Sequence, residues 1–297
     1  GHIGDVRKGV EIHDDLKRRK LLEGNIFLGN TLVDMYVKWG WLAKAQEVFD
    51  KLPIRDVVTW NALIAGYVEH GHGDKAMECF DLMQLEGISP DAFTFGSILK
   101  ACGNIKTIDE GRKMHANVVM EELERELNIS NSLLEMYVKC GLLVAAQEVF
   151  DKIPNQDTTL WNSLITGYAQ MGDFANVLII FNKMEGTGGK PDAVTFLSIL
   201  NSCSHTGLVE EGLSCYEEMN KKLGMCARVE HLTCILDLLS RAGQLEQTQE
   251  ILDNMPFHPH IVMLTIVLSA CQKWGIVELG EGGFRYVLQL DDEEAAA

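Results

Sequence analysis

Met35-Tyr36-Val37-Lys38 and Glu47-Val48-Phe49-Asp50-Lys51 decide the fold, because both segments occur a second time. They return 101 residues further along, as Met136-Tyr137-Val138-Lys139 and Glu148-Val149-Phe150-Asp151-Lys152. Self-similarity at a fixed spacing is the sequence signature of a repeat protein. A spacing of this length exceeds one supersecondary unit, so each copy must contain several shorter units.

Recurring glycines divide the long repeat. Each follows an apolar stretch, and their intervals are 31 to 36 residues, apart from one interval about twice as long. They are Gly40, Gly71, Gly141, Gly172, Gly207, Gly243 and Gly275. Glycine directly after a helix usually adopts the left-handed conformation that ends it. We therefore predict units of helix, tight turn and helix at 26–56, 57–91, 92–126, 127–157, 158–192, 193–228, 229–260 and 261–294, with 1–25 ending an earlier unit and 295–297 forming a tail.

Apolar residues within these units have helical spacing. In 26–56 they are Leu32, Val33 and Tyr36, then Ala45, Val48, Phe49 and Leu52. Each helix thus has one apolar face, which a lone helix pair cannot bury but stacked neighbours can. A small residue recurs in the second helix, at Ala45, Ala76, Gly111, Ala146 and Gly212, and allows close helix approach. The pattern predicts an all-α array of helix-turn-helix repeats.

The composition restricts the cellular compartment and the kinds of function that are possible. The net charge of −17 over 297 residues argues against a surface that is entirely a nucleic-acid footprint, but it leaves room for a local groove. The longest apolar runs are too short to span a membrane. Eight cysteines without a Cys-x-x-Cys pair favour a reducing compartment, and Cys102, Cys203 and Cys271 recur in one context as small buried hydrophobes. With no signal or transit peptide at its start, the chain is interpreted as part of a longer protein.

Val57-Val58-Thr59-Trp60-Asn61-Ala62-Leu63-Ile64, with Pro90-Asp91 at the end of the unit, resembles the pentatricopeptide repeat. The Trp-x-x-Leu-Gly-x-x-Tyr pattern of tetratricopeptide repeats, the other common family of this unit length, does not occur. The resemblance implies an all-α fold, a right-handed superhelical α-solenoid of helix-turn-helix repeats.

Unit lengths that alternate between 31, 35 and 35 to 36 residues resemble the plant organellar PLS subclass. By this resemblance 26–56 and 127–157 are short (S) repeats, 57–91 and 158–192 are standard (P) repeats, 92–126 is a long (L) repeat, 193–228 is its L2 variant, 229–260 is an S2 repeat, and 1–25 ends another L repeat. Val277-Glu278-Leu279-Gly280-Glu281 places an extension (E) motif at 261–294.

The same resemblance implies that the fifth and last residues of each unit select one RNA base. The pairs are Asn30/Asp56, Asn61/Asp91, Asn131/Asp157 and Asn162/Asp192, and in the family Asn with Asp favours a pyrimidine, usually uracil. Thr233 belongs to a purine-type pair, but His260 stands where Asp or Asn is expected. A purely structural interpretation stays open, because aspartate before a helix is a good N-cap and an Asn can bond the local backbone.

Further contacts follow from the resemblance. The second residue of each unit would flank the base, and these are Phe27, Val58, Asn128 and Thr159. Lys38, Lys139, Arg241 and Lys273 would contact phosphate, or simply complement the helix dipole. The long units carry Gly96/Glu126 and Leu197/Arg228, and are expected to space the array or to meet a protein partner.

Catalytic motifs are missing from this sequence. The His-x-Glu and Cys-x-x-Cys of the zinc-dependent nucleotide deaminases do not occur, nor does a phosphate-binding loop or a nucleophile elbow. We expect no catalytic residue, no metal and no cofactor, and therefore no enzyme. A deaminase would be supplied by a missing C-terminal domain or in trans.

Together these observations predict sequence-specific binding of single-stranded RNA with pyrimidines opposite the Asn/Asp repeats. The chain would be the target-recognition part of an organellar C-to-U RNA editing factor in a mitochondrion or chloroplast, with neither DNA nor a membrane as partner. The alternative is a protein-interaction solenoid that binds an editing cofactor or another partner, for instance through the long units.

Overall fold

Helices alternate with tight turns along the chain. The computed structural model describes residues 2–19, 21–22, 25–222, 224–255 and 259–275, and this part of the chain is helical, without a β-strand. The α-helices are α1 His2–Arg18, α2 Ile26–Lys38, α3 Leu42–Lys51, α4 Val57–Glu69, α5 Gly73–Leu85, α6 Ala92–Ile105, α7 Ile108–Met120, α8 Leu127–Lys139, α9 Leu143–Lys152, α10 Thr158–Gln170, α11 Phe174–Gly186, α12 Ala193–Thr206, α13 Val209–Glu217, α14 Val229–Ala242, α15 Leu245–Asp253 and α16 Ile261–Trp274. A 3-10 turn, Leu123–Arg125, and a π turn, Glu218–Lys222, complete the list.

Aspartate caps set the starts of four helices. The carboxylates of Asp56, Asp91, Asp157 and Asp192 accept backbone N–H groups at the starts of α4, α6, α10 and α12. This confirms the predicted caps, which satisfy donors that have no partner inside the helix. Helices α2, α4, α6, α8, α10, α12, α14 and α16 begin at the residues where the proposed units begin.

Left-handed residues end the first helices. All seven glycines of the recurring set have φ between 71° and 78°, which confirms the predicted stops. In the interval that lacks a glycine, Lys106 takes this position with φ of 57°. A side chain with a Cβ is strained there, because the Cβ crowds the backbone carbonyl.

Replacing Lys106 by glycine is expected to stabilise the protein by about 1 kcal/mol, because the substitution removes that strain. Urea unfolding followed by circular dichroism measures the change. Gly207→Lys is the matched control, since a Cβ at Gly207 would meet no atom within 4 Å and only the backbone conformation is tested. It should destabilise by a similar amount. An unchanged or lowered midpoint for K106G would contradict this account of the turn.

The chain divides into two compact units, Gly1–Asn155 and Gln156–Ala297. In the first unit, α2, α4, α6 and α8 pack side by side, and α3, α5, α7 and α9 each pack against the preceding first helix. In the second unit, α10, α12, α14 and α16 form the row, with α11, α13 and α15 against them. Each unit is therefore a stack of helix pairs in which the first helices form one continuous layer.

Small residues bring the second helices close, as predicted. Ala45, Ala76 and Ala146 are fully buried. A Cβ added at Gly111 would lie 2.6 Å from the sulfur of Met136 on α8, so a larger residue would force the Met136 side chain to move.

Aromatic pairs join three of the helix pairs to the next one along the chain. Buried Phe49 meets Trp60 edge-on with ring centres 4.6 Å apart, and the same contact recurs between Phe80 and Phe95 at 6.1 Å and between Phe181 and Phe196 at 5.9 Å. Such pairs contribute about 0.5–1.5 kcal/mol beyond the area that they bury. In each pair the second ring precedes the fifth residue of its unit, so the contact fixes the helix turn that carries this residue.

Burial explains the recurring cysteines. Cys102, Cys203 and Cys271 are buried among the helices, which confirms the prediction of small buried hydrophobes. Burial raises the pKa of the Cys102 thiol to about 11 and that of Cys203 to about 12.

Among the helices described here none combines the length and the apolar character needed to cross a membrane.

Candidate nucleic-acid interface

Three side chains from two repeats meet at Asn61. The amide Nδ2 of Asn61 donates to both carboxylate oxygens of Asp91, at 3.0 and 3.1 Å. The hydroxyl of Thr94 lies 2.6 Å from Asn61 Oδ1 and donates to it. Asp91 also caps α6 through the backbone N–H of Thr94 at 2.9 Å. We call this arrangement the Asn-Asp-Thr cluster.

The cluster occurs three times in the described chain. Asn30, Asp56 and Thr59 repeat it in the first unit, with amide-to-carboxylate and hydroxyl-to-amide distances of 3.3 and 2.6 Å. Asn162, Asp192 and Thr195 repeat it in the second unit, at 2.9 and 2.6 Å. The structure thus brings together three of the four predicted Asn/Asp pairs. In each cluster the same aspartate caps the next first helix and accepts the hydrogen bond of the asparagine amide.

Hydrogen bonds keep the three aspartates ionised. Burial disfavours the charged form of Asp91, but hydrogen bonds donated by the Thr94 backbone N–H and the Asn61 amide outweigh it and lower the pKa of this carboxyl. The pKa values of Asp56 and Asp192 are lowered by the equivalent donors against the same effect of burial. Each carboxylate is therefore an acceptor at neutral pH, which requires the amide nitrogen and not the oxygen to face it.

The amides keep hydrogen-bonding capacity for a ligand. Asn61 and Asn162 are only 7% exposed, and the three cluster threonines are fully buried. Each amide uses one N–H on aspartate and one lone pair of its oxygen on threonine, so a second N–H and a second lone pair remain. A donor and an acceptor side by side are what a pyrimidine edge requires.

The fourth pair is divided between the two compact units, with Asn131 in the first and Asp157 in the second. Asp157 caps α10 by accepting the backbone N–H of Leu160 at 2.9 Å. Leu160 stands where the other motifs have threonine. The oxygen of the Asn131 amide is buried and has no hydrogen-bond partner among the described residues.

The predicted base-flanking residues are exposed. Phe27 is 74% and Val58 is 54% exposed, and Asn128 and Thr159 also face solvent. Each precedes the fifth residue of its unit by three positions, so the two lie on the same helix face. Two exposed apolar side chains beside a polar amide can cover the flat face of a base.

Three of the four predicted phosphate-binding cations are paired with a carboxylate four residues earlier. Lys38 contacts Asp34 at 2.7 Å, Lys139 contacts Glu135 at 2.6 Å and Arg241 contacts Asp237 at 2.9 Å. Lys273 lies over the ring of Trp274, 4.8 Å from its centre. The Lys38–Asp34 pair is solvent-exposed and contributes little to stability, so a phosphate can compete for Lys38. Asp237, the partner of Arg241, is only 22% exposed.

The later repeats have other arrangements. The Thr233 hydroxyl donates to the Val229 carbonyl at 2.7 Å, and the ring of His260 accepts the N–H of Val262. Buried His231 stands where other repeats have the cluster threonine; its ring accepts the Arg228 N–H at 3.2 Å and bonds the Ala193 carbonyl at 2.8 Å. The motif at 277–281 lies outside the described residues.

Sequence reasoning missed the threonines of the cluster. Their signal was available, because Asp56, Asp91 and Asp192 are each followed three residues later by threonine, the spacing of a reciprocal helix cap. What the spacing does not show is that the same hydroxyl also reaches an asparagine 29 to 33 positions earlier in the chain.

Comparison with known proteins identifies the family. The PPR repeat family model matches residues 55–104 and 156–205, and the PPR repeat model matches 30–57, 129–157 and 194–222. A putative pentatricopeptide repeat-containing protein of Arabidopsis thaliana is 33% identical over 296 residues, covering 100% of this chain and 40% of the relative. The Arabidopsis pentatricopeptide repeat-containing protein CRR2, chloroplastic, is 35% identical over 99% of this chain and 45% of its own length. The chain belongs to the pentatricopeptide repeat family and spans less than half of the length of these relatives.

A solved structure shows the same fold. The pentatricopeptide repeat protein PPR10, in a crystal structure with an 18-nt psaJ RNA element, matches with a TM-score of 0.81 at 17% identity, over 95% of this chain and 42% of PPR10. This likeness confirms the predicted fold class, an all-α solenoid of helix-turn-helix repeats.

Proposed function

We propose that this chain binds single-stranded RNA sequence-specifically through its repeats, as the target-recognition part of an organellar C-to-U editing factor. The observation that carries the proposal is the Asn-Asp-Thr cluster. It recurs at the fifth residue of three first helices, α2, α4 and α10, and leaves each amide with one donor and one acceptor for a base. Asparagine is a mediocre helix former, so its recurrence at this position favours a role beyond the fold.

The proposed RNA follows the order of the repeats. Each Asn/Asp repeat binds a pyrimidine, with uracil preferred, and each long repeat lies opposite one base that it does not select. If the chain runs from N to C along the RNA from 5′ to 3′, the site is Y-Y-n-Y-Y-n. Phe27 and Val58 would pack against the first two bases, and the less apolar Asn128 and Thr159 would pack against theirs more weakly.

The relatives support RNA binding and an organellar location. PPR10 was crystallised with an RNA element, and curated relatives of this chain are named chloroplastic or mitochondrial. The alternation of unit lengths supports assignment to the PLS subclass with an extension motif at its end. On this proposal the deaminase activity comes from another part of the full-length protein or from a partner.

Salt dependence tests the proposal. Fluorescence anisotropy of a labelled U-U-A-U-U-A RNA should show binding that weakens as salt rises, with a slope of about −0.7 per phosphate neutralised. A matched RNA in which abasic sites replace the four uracils should bind more weakly with a similar slope, because it keeps the phosphates. Absence of binding at low salt would reject RNA recognition by this chain.

A second candidate function is a protein-interaction solenoid. The net charge of −17 favours it, as does the glycine at the fifth position of the long repeat 92–126, where no side chain can select a base. A basic partner segment, for instance from an editing cofactor, is the kind of ligand that this charge would attract. Failure to bind RNA, together with salt-sensitive binding of a basic peptide, would favour this alternative.

A further inference from the structure

We propose that Thr59, Thr94 and Thr195 are specificity-determining positioning residues that fix the donor–acceptor order which each cluster asparagine presents to a base. The inference rests on the proposed RNA binding. None of the three is expected to touch RNA, because their side chains are fully buried. They act through the amide that each one holds.

The proton of the Thr94 hydroxyl has a defined direction. Its oxygen accepts the backbone N–H of Asp91 at 3.1 Å, so the hydroxyl proton must go to another acceptor. Two acceptors lie within reach, Asn61 Oδ1 at 2.6 Å and Asp91 Oδ1 at 2.9 Å. The nearer one is the asparagine oxygen. The hydroxyl therefore donates to the oxygen of the Asn61 amide and fixes the position of that oxygen.

Two attachments fix the plane of the Asn61 amide. The carboxylate of Asp91 holds the nitrogen end, and a single attachment of this kind would let the amide pivot around it. The Thr94 hydroxyl holds the oxygen end and removes that freedom. Since Asn61 is only 7% exposed, water has little access to compete for either end. The same two attachments hold Asn30 and Asn162.

A fixed order of donor and acceptor distinguishes uracil from cytosine. Uracil presents a carbonyl acceptor beside an N–H donor, whereas cytosine presents an amino donor beside a ring-nitrogen acceptor. An amide that cannot turn matches one of these edges and opposes the other, since one swap of donor and acceptor breaks both bonds. Without the threonine hydroxyl, the oxygen end can adjust and discrimination between the two pyrimidines weakens.

Thr94→Val tests the inference, because valine keeps the shape and removes the hydroxyl. Two RNAs that differ only in uracil or cytosine at the base assigned to Asn61 give a ratio of dissociation constants. We expect T94V to reduce this ratio by about three- to tenfold, the effect of one lost hydrogen bond. The uracil-to-cytosine ratio at the base assigned to Asn162 should stay unchanged.

Two control variants separate positioning from packing. Thr94→Ser restores a hydroxyl and should recover most of the ratio. Thr248→Val removes an equally buried hydroxyl, which donates to the Gln244 carbonyl at 3.0 Å and lies outside the clusters, and should leave both ratios unchanged. All ratios are measured below the unfolding transition of every variant.

Side-chain amide exchange gives a second readout without RNA. The Nδ2 protons of Asn61 should exchange with solvent faster in T94V than in the wild type, and T94S should restore slow exchange. If the chain binds RNA but T94V keeps the wild-type ratio, the inference is overturned and the proposed function stands. If the wild type binds neither RNA, the proposed function fails and the inference fails with it.

Discussion

Exchanging Asn61 for threonine is expected to turn the base preference of repeat 57–91 from uracil toward guanine. The exchange removes the amide that matches a pyrimidine edge, and the shorter side chain leaves room for a two-ring base. Within the family, threonine with a terminal aspartate belongs to the purine class. We expect the ratio of guanine to uracil affinity at this base to rise about ten- to a hundredfold, the usual range for one side-chain reading of a base.

Four RNAs that differ only at the base assigned to Asn61 measure this change by competition. The fold should survive, because the Thr94 hydroxyl, released from the Asn61 amide, can turn its proton to the Asp91 carboxylate oxygen 2.9 Å away. The base assigned to Asn162 is the internal control and should keep its uracil preference. Unchanged preference for uracil in N61T would contradict the pairing scheme.

Replacing Asp192 by alanine is expected to destabilise the protein by about 2–4 kcal/mol. The carboxylate caps α12 at 3.0 Å through the Thr195 N–H and also accepts the Asn162 amide at 2.9 Å. Losing the cap accounts for about 1 kcal/mol, and the stranded amide of Asn162 accounts for the rest. Base selection at Asn162 should be lost in the same variant.

Asp173→Ala is the matched control within the same unit. Asp173 caps α11 through the backbone N–H and side chain of Asn176, at 3.2 and 2.7 Å, and takes no part in a cluster. We expect a loss of about 1 kcal/mol, as for an ordinary cap. Thermal unfolding of the two variants compares them directly. Equal losses would show that the bond to Asn162 adds nothing to the stability of this region.

Local signals made the helix boundaries predictable. An aspartate cap and a glycine stop each act within one turn of the helix, so their positions in the sequence give the ends directly. Lys106 is the exception, because a lysine in the left-handed conformation has no sequence signature. Its position could be inferred only from Gly207, which is 101 residues further along.

Long-range partners were harder to predict. The sequence indicated that Asn61 and Asp91 act together, but not that Thr94 completes the cluster from the next repeat. It also did not reveal that Lys38 already has a carboxylate partner in its own helix. Contacts between elements depend on how helices pack, and a single sequence does not specify this packing at atomic detail.

Binding of this chain to two short single-stranded RNAs tests the central claim most directly. One RNA carries uracil at the four positions assigned to Asn30, Asn61, Asn131 and Asn162, and the other carries adenine there. Fluorescence anisotropy at moderate salt should show clear preference for the uracil RNA, because each ordered amide matches a pyrimidine edge. Equal affinity for the two RNAs would contradict base reading by the Asn/Asp pairs.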